Sequence, residues 1–251
     1  MLLRRMIEHV RTQNWTAVFL DFFIVVVGVF IGIQVANWNS ERQNREEEKI
    51  LIERLVVDFE RIKQDSSRSL ATHEKIYSDL QIVVRSVRSD KLEPQDVQAF
   101  ESALILGIGI QTSADRSGTF TELMSSGRAN ILQDRNLLDA LVDYEDFINT
   151  RFAIAQQYYK DILIDVLPNY AAAFSYNDAF DLNLALTLVE NQTEVSELVM
   201  YDFEKLTKEA AFENSAEQLL FVHSGLLLWR NRISERVDAI LQQLTTLQNK
   251  S

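Results

Sequence analysis

One aspartate lies inside an otherwise apolar stretch of the chain. Asp21 belongs to the segment AVFLDFFIVVVGVFIGIQVANW (17–38), in which Gln34 is the next polar residue. A carboxylate in hydrocarbon is costly and by default marks a proton relay or an ion path. Asp21 is therefore a candidate for proton-coupled work in an accessory subunit of a membrane complex. The alternative stays open that it lies near a helix end and reaches the lipid interface.

The three histidines give little support for catalysis. His9 precedes the apolar segment, and His73 has only Glu74 as an ionisable neighbour in sequence. His223 lies in the apolar centre of the last predicted helix, where a hydrogen-bonded core histidine is the expected role. We therefore expect no histidine to act as a metal ligand or a general base.

Two clusters of acidic and amide side chains could in principle bind cations. Asp139, Asp143 and Asp146 share one side of a predicted helix, but no second helix carries the Glu-x-x-His motif of a di-metal bundle. We interpret them as a solvated face. The other cluster lacks the glycine and the closing glutamate of a calcium loop, so an ordinary loop is expected there; it comprises Asn177, Asp178, Asp181 and Asn183.

No enzyme signature occurs in the chain. It contains no His-Glu-x-x-His, no Gly-x-Ser-x-Gly, no phosphate-binding loop and no cysteine. Gly107-Ile-Gly109 lacks the third glycine and the strand–helix context of a dinucleotide site. The sequence predicts no catalytic, cofactor-binding or metal-binding residue, and a protein that is not an enzyme and carries no cofactor.

The apolar segment 17–38 predicts a single transmembrane helix. About 20 apolar residues at a rise of about 1.5 Å span a hydrocarbon core of about 30 Å. Trp15 and Trp38 bracket the segment, at the level where aromatic rings anchor a helix to the interface. The segment is too long for the apolar core of a signal peptide and lacks a cleavage site, so we predict an uncleaved anchor.

The residues flanking the helix bear on its orientation. Basic residues are nearly balanced across it, with Arg4, Arg5 and Arg11 before it and Arg42, Arg45, Lys49 and Arg54 after it. The short positive tail is hard to translocate, and the absence of cysteine suits an exported domain. We predict a bacterial inner-membrane protein with a cytoplasmic tail (1–16) and a periplasmic domain, the opposite orientation staying open.

Small residues form a stripe on the predicted membrane helix. Gly28 and Gly32 are followed one turn later by Ala36. This spacing lets two helix backbones approach closely in lipid, although glycine is also common in membrane helices for other reasons. We predict a homo-oligomer or a contact with another membrane protein, besides the lipid bilayer itself.

Composition predicts the fold of the rest of the chain. Seven glycines and two prolines in 251 residues leave few turn formers, and Leu, Ala, Glu and Gln favour helix. We predict an all-α protein: one N-terminal transmembrane helix followed by an elongated antiparallel helical bundle (39–251). A net charge of −12 argues against nucleic acid as a partner.

Helix signals can be placed along this domain. The membrane helix is expected to continue to about residue 68, with a break near Asn39 and a kink at Ser66–Ser67. Ser117 or Thr119 is predicted to cap a short helix with Glu122 in a capping box, and Gly127 to end it. Asp134 is predicted to cap a long helix that stops at Pro168.

The C-terminal third is expected to be helical as well. Helices are predicted over about 182–190, through Val195 to Leu206, and from Ser215 to about Leu247. The centre of the last one (219–229) is apolar all round but too short to span a bilayer, so we expect it to lie in the middle of the bundle.

The anchor and the segment FTELMSSGRANIL…LLDALVDY resemble an uncharacterised family of bacterial single-pass membrane proteins. In that family a carboxylate precedes the membrane stretch and Asn-Trp-Asn follows it, as do Asp21 and Asn37-Trp38-Asn39 here. The resemblance covers the anchor and the first half of the remaining chain. It implies topology and setting, and it supplies no catalytic residue.

Three functions remain after these exclusions. The first is a membrane-anchored helical interaction or scaffold module of unknown molecular activity. The alternatives are an accessory subunit of a proton-coupled complex that uses Asp21, and a periplasmic receptor whose ligand lies between bundle helices. For the receptor, the candidate lining is aromatic: Tyr158, Tyr159, Phe174 and Tyr176.

Overall fold

The structure is a computed structural model that describes residues 15–109, 114–178, 181 and 198–249. The cytoplasmic tail predicted over 1–16 lies almost wholly outside the described residues. By contacts between residues the chain divides into two compact units, Met1–Leu51 and Ile52–Ser251. Each unit is described by itself below.

The described part of the chain is almost entirely helical, which confirms the all-α prediction. Its only sheet there is a two-stranded antiparallel ribbon in which Phe174 pairs with Tyr201 and Tyr176 with Val199. The elements in chain order are α1 (Trp15–Ser89), a 3₁₀ turn (Pro94–Asp96), α2 (Val97–Leu106), α3 (Gly118–Ser125), a 3₁₀ turn (Ala129–Ile131), α4 (Arg135–Asp161), a π-helical turn (Ile162–Val166), α5 (Leu167–Ala171), β1 (Phe174–Tyr176), β2 (Val199–Tyr201), α6 (Phe203–Leu206) and α7 (Ala210–Gln248).

Helix α1 runs without interruption for 75 residues, longer than the sequence predicts. The expected break near Asn39 and the expected kink at Ser66–Ser67 are both wrong. Ser67 donates its hydroxyl to the Lys63 carbonyl at 2.8 Å, one turn back, which a regular helix accommodates. Ser66 is buried, so this small polar residue is part of the packed face and does not interrupt the helix.

Within the second unit, α1 buries a regular apolar stripe. Leu55, Phe59 and Ile62 recur at helical spacing and are fully buried. Further along the same helix Leu80 and Val83 belong to the main hydrophobic cluster together with residues of α2, α5 and α7. Residues three and four positions apart lie on one side of a helix, which is why this spacing gives a single buried face.

Helix α7 packs antiparallel to this part of α1. Arg88 forms ion pairs with Glu213 and Glu217 near one end of the pairing, whereas Lys63 and Asp238 are joined at 2.7 Å near the other. The order of the partners along the two helices is reversed, as in an antiparallel bundle.

Helix boundaries follow the predicted capping signals in most places. Ser117 accepts a hydrogen bond from the Phe120 N–H at 3.0 Å, Asp134 accepts from the Leu137 N–H at 3.0 Å, and Gly127 has φ +69°. The predicted capping box is not formed, because Glu122 instead pairs with Arg54 at 2.5 Å. The two caps thus follow from the local sequence, whereas Glu122 pairs with a residue of α1, which is distant in sequence.

Pro168 does not stop the helix, contrary to the prediction. Proline lacks the N–H of the helical ladder and its ring crowds the carbonyl four residues back. The chain widens into the π-helical turn Ile162–Val166 directly before it and then continues as α5. This wider turn accommodates the proline and places a bulge beside α7.

The helix predicted through Val195 to Leu206 is also wrong over part of its length. Val199–Tyr201 form β2 and pair with β1, because the β-branched and aromatic side chains suit a strand that has a partner. Only the short α6 remains helical there. The helix predicted over 182–190 lies outside the described residues.

The last helix begins at Ala210 instead of Ser215, and its centre is only partly buried. Leu219, His223 and Leu226 are buried, whereas Phe221 is 72 % exposed and Leu228 56 %. The prediction that this centre lies in the middle of the bundle is therefore wrong for one face. Within the described residues α7 packs against its neighbours on its other side.

Candidate functional site

The apolar part of α1 in the first unit has no cover from the described chain. Apart from the half-buried Val27, the large apolar side chains from Phe19 to Trp38 are 45–68 % exposed. Among the described residues one helix is long and apolar enough to cross a membrane, and none of its apolar window is buried. By length and composition this helix could span a membrane.

The small-residue stripe is open along this helix. A Cβ added at Gly28 or Gly32 would meet no atom within 4 Å, and Ala36 and Gln34 are exposed. Trp38, a predicted interface anchor, is 61 % exposed. Trp15 and Asp21 belong to α1, but their side chains lie outside what the structure describes.

The second unit brings together two histidines that are 150 residues apart. His73 on α1 and His223 on α7 are both buried, and their Nδ1 atoms lie 3.2 Å apart. The Nε2 atom of His223 lies 2.9 Å from the Gly107 carbonyl oxygen, after the end of α2. Two linked polar contacts in the core therefore connect α1, α7 and the end of α2, which confirms His223 as a hydrogen-bonded core residue.

The carbonyl fixes the proton arrangement of the pair. A carbonyl only accepts, so His223 Nε2 must donate, and in a neutral ring the other nitrogen then accepts. His73 Nδ1 is therefore the donor to His223 Nδ1. Burial lowers the pKa of His223 to about 4; the bond to Gly107 opposes this shift and His73 adds to it. The neutral His223 ring can hold the fold, but with its lowered pKa it is a poor base near pH 7.

A buried ion pair fixes the loop that precedes α3. Arg230 on α7 donates to Asp115 Oδ2 at 2.7 Å, and both side chains are about 10 % exposed. The Tyr144 hydroxyl donates to the Asp115 backbone carbonyl at 2.7 Å. Burial, with the Asp115 carboxylate nearby, raises the pKa of Tyr144, so its hydroxyl stays protonated and able to donate. This network has a structural role.

The Asp58 carboxylate on α1 accepts hydrogen bonds from residues at the start of α3. Its Oδ2 accepts from the Ser117 hydroxyl at 2.8 Å and the Thr119 N–H at 2.9 Å. Burial opposes its ionisation, but these hydrogen bonds and nearby Arg61 bring its pKa below the ordinary value. The carboxylate serves as an anion that holds the N-terminus of α3.

The other acidic groups predicted from sequence do not form a site. Asp139, Asp143 and Asp146 are all exposed on α4, as expected for a solvated face. In the described ranges no group of three or more histidine, aspartate and glutamate side chains could hold a metal ion. Of the second cluster, Asn183 lies outside the described residues.

The candidate aromatic receptor lining is split between two places. Phe174 packs edge-to-face on Tyr170 and on Tyr176 beside the β-ribbon. Tyr158 instead stacks on Trp229 of α7, with ring centroids 5.8 Å apart and planes at 7°. Tyr159 is 46 % exposed. These aromatics do not form one pocket, so the lining predicted for the receptor is only partly assembled.

A series of stacked rings and guanidinium groups joins α4 to α7. The Arg151 guanidinium lies 5.4 Å from the Trp229 ring and 5.0 Å from the Phe147 ring, and Arg236 lies 4.6 Å from Phe147. Tyr158 completes the series beyond Trp229. Contacts of this kind contribute about 0.5–1 kcal/mol each at exposed sites. They hold the Tyr158 ring in a fixed position.

Beyond Tyr158 the seam between the helices opens into a groove of about 490 Å³. Ile162 and Val166 of the π-helical turn line one side, and Phe221 and Val222 of α7 line the other. The groove thus has an apolar base formed at the point where Pro168 forces α4 to widen. No sequence signal marked it, because the separation of the two helices is a tertiary property.

Carboxylates surround this apolar base. Asp161, Asp165 and Glu217 all line the groove, together with two side-chain amides. Arg88 pairs with Glu217. Among the described residues no salt bridge joins a cation to Asp161 or Asp165, although Asp161 accepts a hydrogen bond from Gln157 at 2.8 Å. An apolar floor with free negative charge on its edge can receive an apolar group that carries a cation.

Comparison with protein families, with curated proteins and with solved structures finds no match to this chain. The resemblance of the anchor and of the segment around Gly127 to an uncharacterised membrane family therefore stays a prediction.

Proposed function

We propose that this protein is a membrane-anchored helical module that works by binding other proteins, its own copies included, and not by catalysis. The observation that carries the proposal is the apolar part of α1, where large side chains are 45–68 % exposed. Lipid covers such a surface, and the stripe of Gly28, Gly32 and Ala36 allows a second helix to approach closely.

The buried polar groups of the second unit support an interaction role because they hold its helices together. The buried His73–His223 pair, the Asp115–Arg230 pair and Asp58 are each engaged in holding helices together. Their hydrogen bonds join elements of the fold, so these groups build a rigid body. A rigid body on a membrane anchor is suited to present a surface to a partner.

The setting we propose is the bacterial inner membrane, with the N-terminal tail in the cytoplasm and the second unit in the periplasm. The reason is the cost of translocating a short positive tail. A topology reporter fused after Ser251 tests this orientation. Activity of a reporter that works only in the cytoplasm would reverse it.

Single-cysteine crosslinking in native membranes tests the interaction role, and the chain is suited to it because it has no cysteine. At about 100° per residue Val25 and Ala36 lie beside the glycine stripe, whereas Phe30 lies on the opposite face. We expect Val25→Cys and Ala36→Cys to form a crosslinked dimer or a crosslink to one neighbour, and Phe30→Cys to form neither.

Two results would contradict the proposal. One is equal crosslinking at all three positions, which indicates random collision in the bilayer. The other is a monomer at every position, with no partner captured. Replacing Gly28 by Ile should reduce a specific crosslink, while Val26→Leu on the opposite face serves as the control of similar chemistry.

A further inference from the structure

We propose that the groove between the end of α4, the π-helical turn and α7 is the docking site for a basic amphipathic helix of a partner protein. The inference rests on the proposed interaction function and names the surface and the chemistry of the partner. Three features carry it: an exposed aromatic residue, uncompensated carboxylates and an open, rigid floor.

Phe221 is the apolar anchor of this surface. It lines the groove and is 72 % exposed, although its neighbour Val222 is half-buried and His223 is buried on the same helix. Removing a phenylalanine from water is among the larger apolar gains that an interface can make. Large aromatic side chains beside a groove are also the residues that most often dominate binding. Phe221 therefore marks a face that a partner covers.

The charges on the edge of the groove define the sign of that partner. Asp161 and Asp165 are four residues apart, both line the groove, and neither is paired with a cation within the described ranges. Glu217 is already paired with Arg88. A lysine or arginine on the partner would complete two ion pairs while its apolar face covers Phe221.

The openness of the groove favours a helix over a small molecule. Sites for small molecules enclose about 70–90 % of the ligand surface, whereas here a principal wall residue is itself mostly in water. An amphipathic helix lays one apolar face into a groove between two helices and leaves its other face in solvent. A second copy of this chain is a poor occupant because its net charge is −12.

The walls of the groove are held before any partner arrives. Tyr158 is stacked on Trp229, which lies next to the Arg151 guanidinium. Ile162 and Val166 are buried members of the hydrophobic cluster, so the π-helical turn is anchored from below. A rigid site loses less conformational entropy on binding.

Site-specific photocrosslinking of the full chain in its native cells tests the proposal. The variant Phe221→p-benzoylphenylalanine is irradiated, and the crosslinked segment is identified by mass spectrometry. Met200, which is 56 % exposed on β2 and does not line the groove, is the control position for the same photoreactive residue. We expect one partner at position 221, crosslinked through a helical segment rich in lysine or arginine, and not at position 200.

A matched pair of double variants tests the role of charge. Asp161→Asn with Asp165→Asn removes the two carboxylates of the groove, whereas Asp139→Asn with Asp143→Asn makes the same change at the same spacing on the exposed face of α4. We expect the yield at position 221 to fall by about fivefold or more in the first and to stay unchanged in the second.

The other outcomes would overturn the docking proposal. At position 221 these are a crosslink to a second copy of this chain, to lipid or to a small amine, and a crosslink through an acidic or uncharged segment of a partner. An unchanged crosslink yield in the Asp161→Asn, Asp165→Asn variant would also overturn the proposal. So would the absence of any crosslink. Cysteine crosslinking along α1 on the same cells separates the two proposals. If the α1 crosslinks persist while position 221 captures no basic helix, the groove is not the docking site but the interaction function stands.

Discussion

The large apolar side chains of α1 are exposed in one segment of the helix and buried in another. From Phe19 to Trp38 the large apolar residues are 45–68 % exposed, whereas in the second unit Leu55, Phe59 and Leu80 are fully buried. The first segment is apolar all round and the second alternates with charge at helical spacing. The pattern therefore separates a segment that the described chain leaves uncovered from one that packs against protein, although both belong to one helix.

Helix α7 adds a third case to this comparison. Its centre, Leu219 to Trp229, is also apolar nearly all round but is too short to span a bilayer. It buries Leu219 and Leu226 while Phe221 and Leu228 are exposed. A short segment with few polar residues thus need not lie in the middle of a bundle, and one apolar face of it is left exposed by the described chain.

The largest effect is expected from charges introduced into the first segment. Val26→Arg with Phe30→Arg should abolish stable membrane insertion, because each arginine at the centre of a membrane helix costs about 3 kcal/mol, or about 6 kcal/mol together. Alkaline extraction of membranes followed by immunoblotting measures the anchored fraction.

The control for this variant uses two exposed apolar residues of the second unit. Val57→Arg with Met200→Arg introduces the same charge at positions that are 69 % and 56 % exposed, and the protein should stay fully anchored. Loss of anchoring in both double variants would show that charge itself, and not the apolar segment, decides the outcome.

The next effect distinguishes side chains buried in the second unit from side chains exposed on the first segment of α1. Phe59→Ala should lower the free energy of unfolding of the second unit by about 3 to 5 kcal/mol, because it removes a fully buried ring. The centroid of this ring lies 5.3 Å from that of Tyr144. Phe30→Ala should change it by less than about 0.5 kcal/mol.

Urea denaturation followed by Trp229 fluorescence provides the measurement. A background with Trp15→Phe and Trp38→Phe leaves Trp229 as the single tryptophan, since the chain has three. Equal losses for Phe59→Ala and Phe30→Ala would mean that both side chains are packed alike and that the two segments of α1 do not differ in burial.

Much of this contrast could be predicted from the sequence, since it depends on local patterns. The long apolar helix at 17–38 and the caps at Ser117 and Asp134 were each visible as spacing or as a residue type at a helix start. The contact of His73 with His223 could not be predicted, because it joins residues far apart in sequence. The groove at Phe221 escaped prediction for the same reason, and also because the π-helical turn at Pro168 replaced the expected helix end.

A pH-dependent effect is expected from the histidine pair. Burial lowers the pKa of His223 to about 4, while in the unfolded chain a histidine titrates near about 6.5. Between these values the unfolded state binds more protons, so stability is complete above about pH 6.5 and falls as the pH drops to about 4. The loss amounts to about 3 kcal/mol.

The variant His223→Gln isolates this contribution. It should be less stable than the parent at pH 7 but should lose less stability between about pH 6.5 and 4. The measured quantity is the difference between the stability curves of the parent and the variant, because other groups also titrate. Burial raises the pKa of Glu101, so this group makes the free energy of unfolding fall as the pH rises, opposite to His223. Asp58, whose pKa is lowered, changes the stability only at lower pH. Parallel curves from urea titrations would assign the acid sensitivity to other groups.

The smallest effect is expected from a glycine-to-alanine substitution, made separately in each unit. Gly127→Ala should lower the free energy of unfolding of the second unit by about 1 kcal/mol, because its φ of +69° is strained for any residue with a Cβ. Gly28→Ala should leave that free energy unchanged, since a Cβ there meets no atom within 4 Å. It should instead weaken the Val25→Cys crosslink, because the added methyl group holds a second helix further away. A crosslink that Gly28→Ala leaves at full strength would show that the stripe is ordinary membrane-helix glycine, and the exposed face of α1 would then contact lipid alone.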